Sequence, residues 1–128
     1  MTPMKRMIYI SLIINVVVLI PVCIGLISDA SWVEYGYGPA SPARGILLSI
    51  YGSILLVSLG LLINPLPMLV APLLLVQILY KLTTPFTVGN FTNPVVISNI
   101  LVALVHLVTL LLILRSIRDK ASSQALLD

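Results

Sequence analysis

Residues 45–80, GILLSIYGSILLVSLGLLINPLPMLVAPLLLVQILY, run without one charged side chain. As a single helix this stretch would measure about 54 Å at ~1.5 Å per residue, nearly twice the ~30 Å hydrocarbon layer of a bilayer. Its middle carries Asn64-Pro65-Leu66-Pro67. Two prolines this close end one helix and start another, because proline lacks a backbone N–H and is tolerated only in a helix's first turn. The stretch therefore reads as two membrane spans joined by a very short turn, an antiparallel hairpin.

The same reasoning extends in both directions. Residues 7–28 contain no charge and reach about 33 Å as a helix, enough for a first span. Ser41-Pro42 reads as an N-cap followed by the first helical residue, which opens the second span over 42–63. The third span covers 67–82, with Pro72 expected to kink it and Lys81 cutting its apolar run short. Asn93-Pro94 repeats the start signal and opens the fourth span, 94–114. The expectation is an all-α integral membrane protein, a single domain over 1–128 forming a four-helix transmembrane bundle. Loops 29–41 and 83–93 lie on one side and the tail 115–128 on the other. Lys5 and Arg6 before the first span and Ser28-Asp29-Ala30 after it also fit a cleaved signal. The apolar run is longer than the ~7–15 residues of a signal core, so an uncleaved span is expected.

Composition agrees with this layout. Hydrophobic residues make up 59% of the chain and charged residues 9%, against ~25% charged in soluble domains. The net charge of +3 comes from seven Lys and Arg against four acidic residues, and the basic ones mark span ends. No basic patch interleaved with aromatics is present, so the balance points to membrane topology and not to nucleic acid. Lys5, Arg6, Arg115, Arg118 and Lys120 fall on the side of the termini, while Arg44 and Lys81 fall on the other. This bias predicts both termini in the cytoplasm, N-in/C-in. Trp32, Tyr35, Tyr37, Tyr80, Phe86 and Phe91 gather on the opposite side as an interfacial belt plus a small cap. Asp29 and Glu34 lie there too, within reach of Arg44 and Lys81, and solvated headgroup-level charges are expected in preference to a defined ion pair.

Soluble-enzyme motifs are absent, and no Asp or Glu falls inside a span. This argues against a proton-coupled transporter built on a membrane carboxylate and removes the usual acid–base pair of membrane isomerases and proteases. No catalytic residue and no metal site are assigned, and the single Cys23 in an apolar run reads as a packing residue.

The uncharged polar residues carry more information. Asn15 stands nine residues after Arg6 and His106 nine before Arg115, about 13–14 Å from the same boundary. Ser53 and Gln77 come to a similar height from the opposite turns, so Asn15, Ser53, Gln77 and His106 are expected to form one midplane layer facing inward. Interhelical hydrogen bonds that fix packing are the leading account of this layer. A small cavity for a quinone or lipid is the second account, and His106 as an axial haem ligand is the third. Lys81 lies one turn from Gln77 and level with Asn99. It is expected either to snorkel to headgroups or to form, with Asn99, an outer polar path toward Gln77 and His106. Gly45, Ser49 and Ser53 recur every four positions, a small-residue stripe that would make the second span central or give it an oligomer contact.

The four short spans, the tight middle hairpin and the run Val76-Gln77-Ile78-Leu79-Tyr80-Lys81 resemble small bacterial inner-membrane proteins of the DoxX-like kind. That resemblance implies the span layout and, through the quinone association of some such proteins, adds weight to a ligand cavity. The role expected first is a non-catalytic accessory or structural subunit of a membrane complex, or a homo-oligomer. A quinone- or lipid-binding module follows it, and a solute-permeation protein comes third.

Overall fold

The computed structural model describes Met1–Asp128. Five helices follow one another: α1 (Pro3–Ser28), α2 (Ser31–Tyr37), α3 (Pro42–Ile63), α4 (Pro67–Val88) and α5 (Pro94–Leu127). All but α2 are long and apolar enough to cross a membrane, so the chain is an all-α protein suited to a bilayer. Each long helix has proline in its first turn. Three of them also have a side-chain cap. Thr2 Oγ1 accepts from Lys5 N at 3.2 Å, Ser41 Oγ from Arg44 N at 3.2 Å, and Asn93 Oδ1 from Val95 N at 2.8 Å.

Packing departs from sequence order. α1 lies against both α3 and α5, and α5 lies against α4, whereas α3 and α4 barely touch although only a short turn joins them. The bundle is thus closed along three seams and loose along the α3–α4 seam. This corrects the expectation that the second span is central, since α3 sits at the edge with α1 as its main neighbour. Its mean hydropathy is high all round, and its buried side chains, such as Tyr51, Ile54, Ser58 and Leu61, form a single stripe. That stripe packs on α1.

Two apolar clusters fill the interior. One, at the end holding the termini, joins Ile8 and Leu12 of α1 to Leu61 of α3, Val70, Leu74 and Ile78 of α4, and Leu110 and Ile113 of α5. The other, at the loop end, joins Leu19, Cys23 and Leu26 of α1 to Val33 of α2 and to Tyr51 and Ile54 of α3. Asn15, Ser58 and His106 lie at the levels between them, whereas Ser11, Gln77 and Thr109 fall among the residues of the first cluster.

Three segments differ from the outline read in the sequence. Residues 31–37, inside the loop expected over 29–41, form α2. α4 runs on to Val88, with Thr83 and Thr84 bonding back to carbonyls of the preceding turn and buried Pro85 accommodated within the helix. α5 continues through residues 115–127, a stretch without Gly or Pro, to a length of about 51 Å. It therefore projects well past a ~30 Å hydrocarbon layer.

Candidate functional site

At mid-height, α1, α3 and α5 are tied by a chain of buried side-chain hydrogen bonds. Asn15 Nδ2 donates to Ser58 Oγ at 3.0 Å, and Asn15 Oδ1 lies 2.9 Å from His106 Nε2. Because the amide N–H of Asn15 is turned to Ser58, its oxygen is the acceptor at the imidazole. Nε2 of His106 therefore carries the proton and Nδ1 is the lone-pair nitrogen. One turn toward the termini, the hydroxyls of Ser11 and Thr109 meet at 2.7 Å. Gln77 is buried at this height on α4, but its Nε2 reaches only Leu73 O at 3.4 Å. Gln77 Oε1 and His106 Nδ1 have no partner.

Asn15, Gln77 and His106 are thus buried in the interior. Ser53 is exposed, and its hydroxyl donates to Ser49 O of its own helix at 2.8 Å. The serine that reaches Asn15 is Ser58, five positions further along α3. Height along a helix was legible from residue counting, but rotation about its axis was not. Gly45 and Ser49 are exposed with Ser53, and a Cβ added at Gly45 would meet nothing within 4 Å. The small-residue stripe faces out of the bundle.

His106 is fully enclosed, with 0% exposure, and none of the larger cavities reaches it. An axial-ligand role would require a haem face beside a nitrogen that closed helix packing covers, so these residues do not fit that group.

The second polar locus lies nearer the loop end. Lys81 is 4% exposed and does not snorkel. Its Nζ donates to Asn99 Oδ1 at 3.1 Å and stands 5.0 Å from the centre of the Tyr80 ring. Asn99 Nδ2 in turn donates to Thr84 Oγ1 at 3.4 Å. No hydrogen bond connects this group to Gln77 or His106, so the outer path and the midplane layer are separate.

Two adjoining cavities open beside Asn99 beneath α2, and the first also borders Lys81. One, of about 280 Å³, is bounded by Val18, Leu19 and Val22 of α1, by Trp32 and Tyr35 of α2, and by Lys81, Ser98 and Asn99. The other, of about 470 Å³, occupies the loose seam between Tyr51 of α3 and Tyr80 and Thr84 of α4. Both are lined by Tyr37, Tyr51 and Asn99. The rings of Tyr37, Tyr51 and Tyr80 follow one another at centroid distances of 6.0 and 6.5 Å. Burial, with Tyr51 beside it, pushes the Tyr37 phenol well above its ordinary value, so it stays a neutral hydroxyl. The hydroxyl of Tyr80 is buried without a partner.

α2 is held over these cavities at both ends. Asp29 takes a left-handed conformation at the end of α1 (φ 52°, ψ 47°), which is tolerated by Asp better than by most residues, and the chain turns there into α2. Arg44 of α3 pairs with the Asp29 carboxylate before α2 and donates to Gly38 O after it at 2.9 Å. Asn93 Nδ2 adds a bond to Gly36 O at 3.1 Å. Two glycines permit the close fit. A Cβ on Gly25 would fall 2.3 Å from the Trp32 ring, and one on Gly36 would fall 2.6 Å from Val95. The Arg44–Asp29 pair corrects the expectation of merely solvated charges, since Arg44 is buried and tied at both ends of the segment. Sequence spacing gave no sign of α2, because the contacts that hold it join residues 29, 38 and 44 and residues 36 and 93.

No family model, curated protein or solved structure matches the chain. The arrangement itself offers hydrogen-bond donors, an ammonium, an amide and phenols, at the wall of an aromatic and aliphatic cavity. These groups can hydrogen-bond the polar end of a ligand whose remainder lies against the apolar wall.

Proposed function

We propose that this protein is a non-catalytic binding module of the membrane, taking a lipid-soluble small molecule into the cavities beneath α2. The observation that carries this reading is Lys81 with Asn99 at the wall of a cavity in an otherwise apolar bundle. A polar group at membrane depth is retained where it packs helices together or meets a ligand. The midplane bonds of Asn15, Ser58 and His106 have the first character, since their packing is closed. Lys81 and Asn99 have the second, because they border open volume and the cavities are close to the ~300 Å³ lower range of small-molecule sites. The expected pocket thus moves from the midplane toward the loop end. The basic residues near the termini support an N-in/C-in orientation in a bacterial inner membrane, which puts the cavities in the outer leaflet. The resemblance to DoxX-like proteins, read by analogy only, agrees with a quinone or lipid as ligand.

The test is extraction of protein purified in a mild neutral detergent, with optical absorption and mass spectrometry of the extract. A lipid-soluble compound near one equivalent per chain supports the reading. Absence of such a compound, together with no saturable binding of any lipid-soluble probe, overturns it.

The outward stripe of Gly45, Ser49 and Ser53 favours a second role, which is compatible with the first. A smooth helix face lets another helix approach closely, as an accessory subunit or homo-oligomer requires. Copurifying membrane proteins, or self-association in detergent, would identify which.

A further inference from the structure

The chemistry of the ligand follows from where the charges are. The chain has four acidic residues, Asp29, Glu34, Asp119 and Asp128. Asp29 is paired with Arg44, the one ion pair in the structure. Asp119 and Asp128 belong to the projecting end of α5. Glu34 is exposed on α2 and borders the neighbouring cavity without bonding to Lys81. Lys81 is therefore buried with only the neutral carbonyl of Asn99 as hydrogen-bond partner, and two of its three ammonium N–H groups are uncommitted. An ammonium taken out of water without a counter-ion is costly, by several kcal/mol as an order of magnitude. A ligand that brings a negative charge would offset that cost, whereas a neutral carbonyl would offset only part of it.

Depth and shape narrow the ligand further. Lys81 lies seven residues before Val88 and Asn99 five after Pro94, about 8–10 Å inside the helix ends. Counting from the Asn15–His106 contact, Val22 is level with Asn99 and Val18 lies a turn deeper. The cavity wall on α1 is thus aliphatic at and below the level of the ammonium, formed by Val22, Leu19 and Val18. A charged head near the outer boundary with an apolar chain pointing inward is the layout of a membrane amphiphile. We infer that the site binds an anion-headed amphiphile, its head on Lys81 where Tyr37 and Tyr51 border the same cavity, its chain along α1. The inference rests on the binding reading above and adds the sign of the ligand's charge.

Trp32 is the single tryptophan and borders the same cavity, so it reports occupancy directly. Protein in a neutral maltoside detergent is titrated with a dibrominated long-chain fatty acid, whose bromines quench tryptophan on contact. Its methyl ester is the neutral control, a dibrominated lysophosphatidic acid is the phosphate-headed arm, and a short-chain quinone is the neutral-ring arm. The expected result is saturable quenching by the acid, about tenfold weaker for the ester, as loss of one charge-assisted contact would give. Lys81→Met should bring the acid down to the level of the ester, and Lys81→Arg should restore most of the difference. If the phosphate-headed probe saturates and the carboxylate does not, the anion stands and its head is a phosphate. Equal binding of acid and ester, or preference for the quinone, overturns the anionic ligand while leaving the binding module intact. No saturable quenching by any probe overturns both. Should Lys81→Met not fold, the acid-to-ester ratio on the unaltered protein and on Lys81→Arg decides the matter.

Discussion

Asn15 is the residue whose removal tests the interior most sharply. It donates to Ser58 at 3.0 Å and accepts from His106 at 2.9 Å, joining α1 to α3 and α5 at once. Interhelical hydrogen bonds in membrane proteins average ~0.6 kcal/mol and reach ~1.7 kcal/mol, so the two together contribute about 1–3 kcal/mol. Asn15→Leu also leaves the His106 N–H enclosed and unpaired, a further cost of about 1–3 kcal/mol. The expected destabilisation is about 3 kcal/mol, roughly a hundredfold in the ratio of folded to unfolded protein. Reversible unfolding in mixed detergent micelles, followed by circular dichroism, measures it. The double variant Asn15→Leu with His106→Leu should cost ~1–2 kcal/mol less than the sum of the single changes, because it removes the donor that the first change strands. Strict additivity, or a loss below ~0.5 kcal/mol for Asn15→Leu, would refute the hydrogen-bonded layer. Ser53→Ala is the control, expected within ~0.5 kcal/mol of the parent because that serine is exposed and bonds only within its own helix.

Further outcomes follow from the clasp over the cavities and from the outer face. Gly25→Ala places a methyl 2.3 Å from the Trp32 ring; it should displace the ring, seen as a red-shifted emission and greater quenching by acrylamide. Arg44→Gln removes the tie between the two ends of α2 and should raise hydrogen exchange across residues 29–38 while leaving α4 and α5 unchanged. The raised Tyr37 phenol favours the neutral form in the folded state. Its stabilising share is complete below the unfolded value near ~10 and is lost as pH rises above it, so phenolate absorbance at high pH should lag in the folded protein and appear on unfolding. Ser49→Leu alters only the outward stripe and should leave monomer stability intact while weakening any association that cross-linking detects in detergent.

How much of this was readable beforehand varies by residue. Counting from span ends puts Asn15, Gln77 and His106 at one height and Lys81 level with Asn99. Ser58 and Ser11 were missed although both lie on apolar helices, because a hydroxyl that can bond its own preceding turn gives no outward sign of facing inward. Thr109 was missed for the same reason. The sequence points to a headgroup belt for Tyr37 and Tyr80, whereas the structure joins them to Tyr51 as one wall around a cavity. That wall exists only because α3 and α4 stand apart.

Sequence by itself determined the four long apolar helices and where three of them start. Whether a segment crosses ~30 Å of hydrocarbon depends on its length and polarity, and where it starts depends on a cap and a proline, all local properties. Tertiary structure alone decided which face of each helix turns inward. A helix that is apolar all round carries no amphipathic moment to orient it, so rotation is set by how its side chains fit those of its neighbours. That fit turned Ser58 inward and Ser53 outward on α3, left the α3–α4 seam loose, and drew α2 over a buried lysine through contacts between residues far apart in the chain.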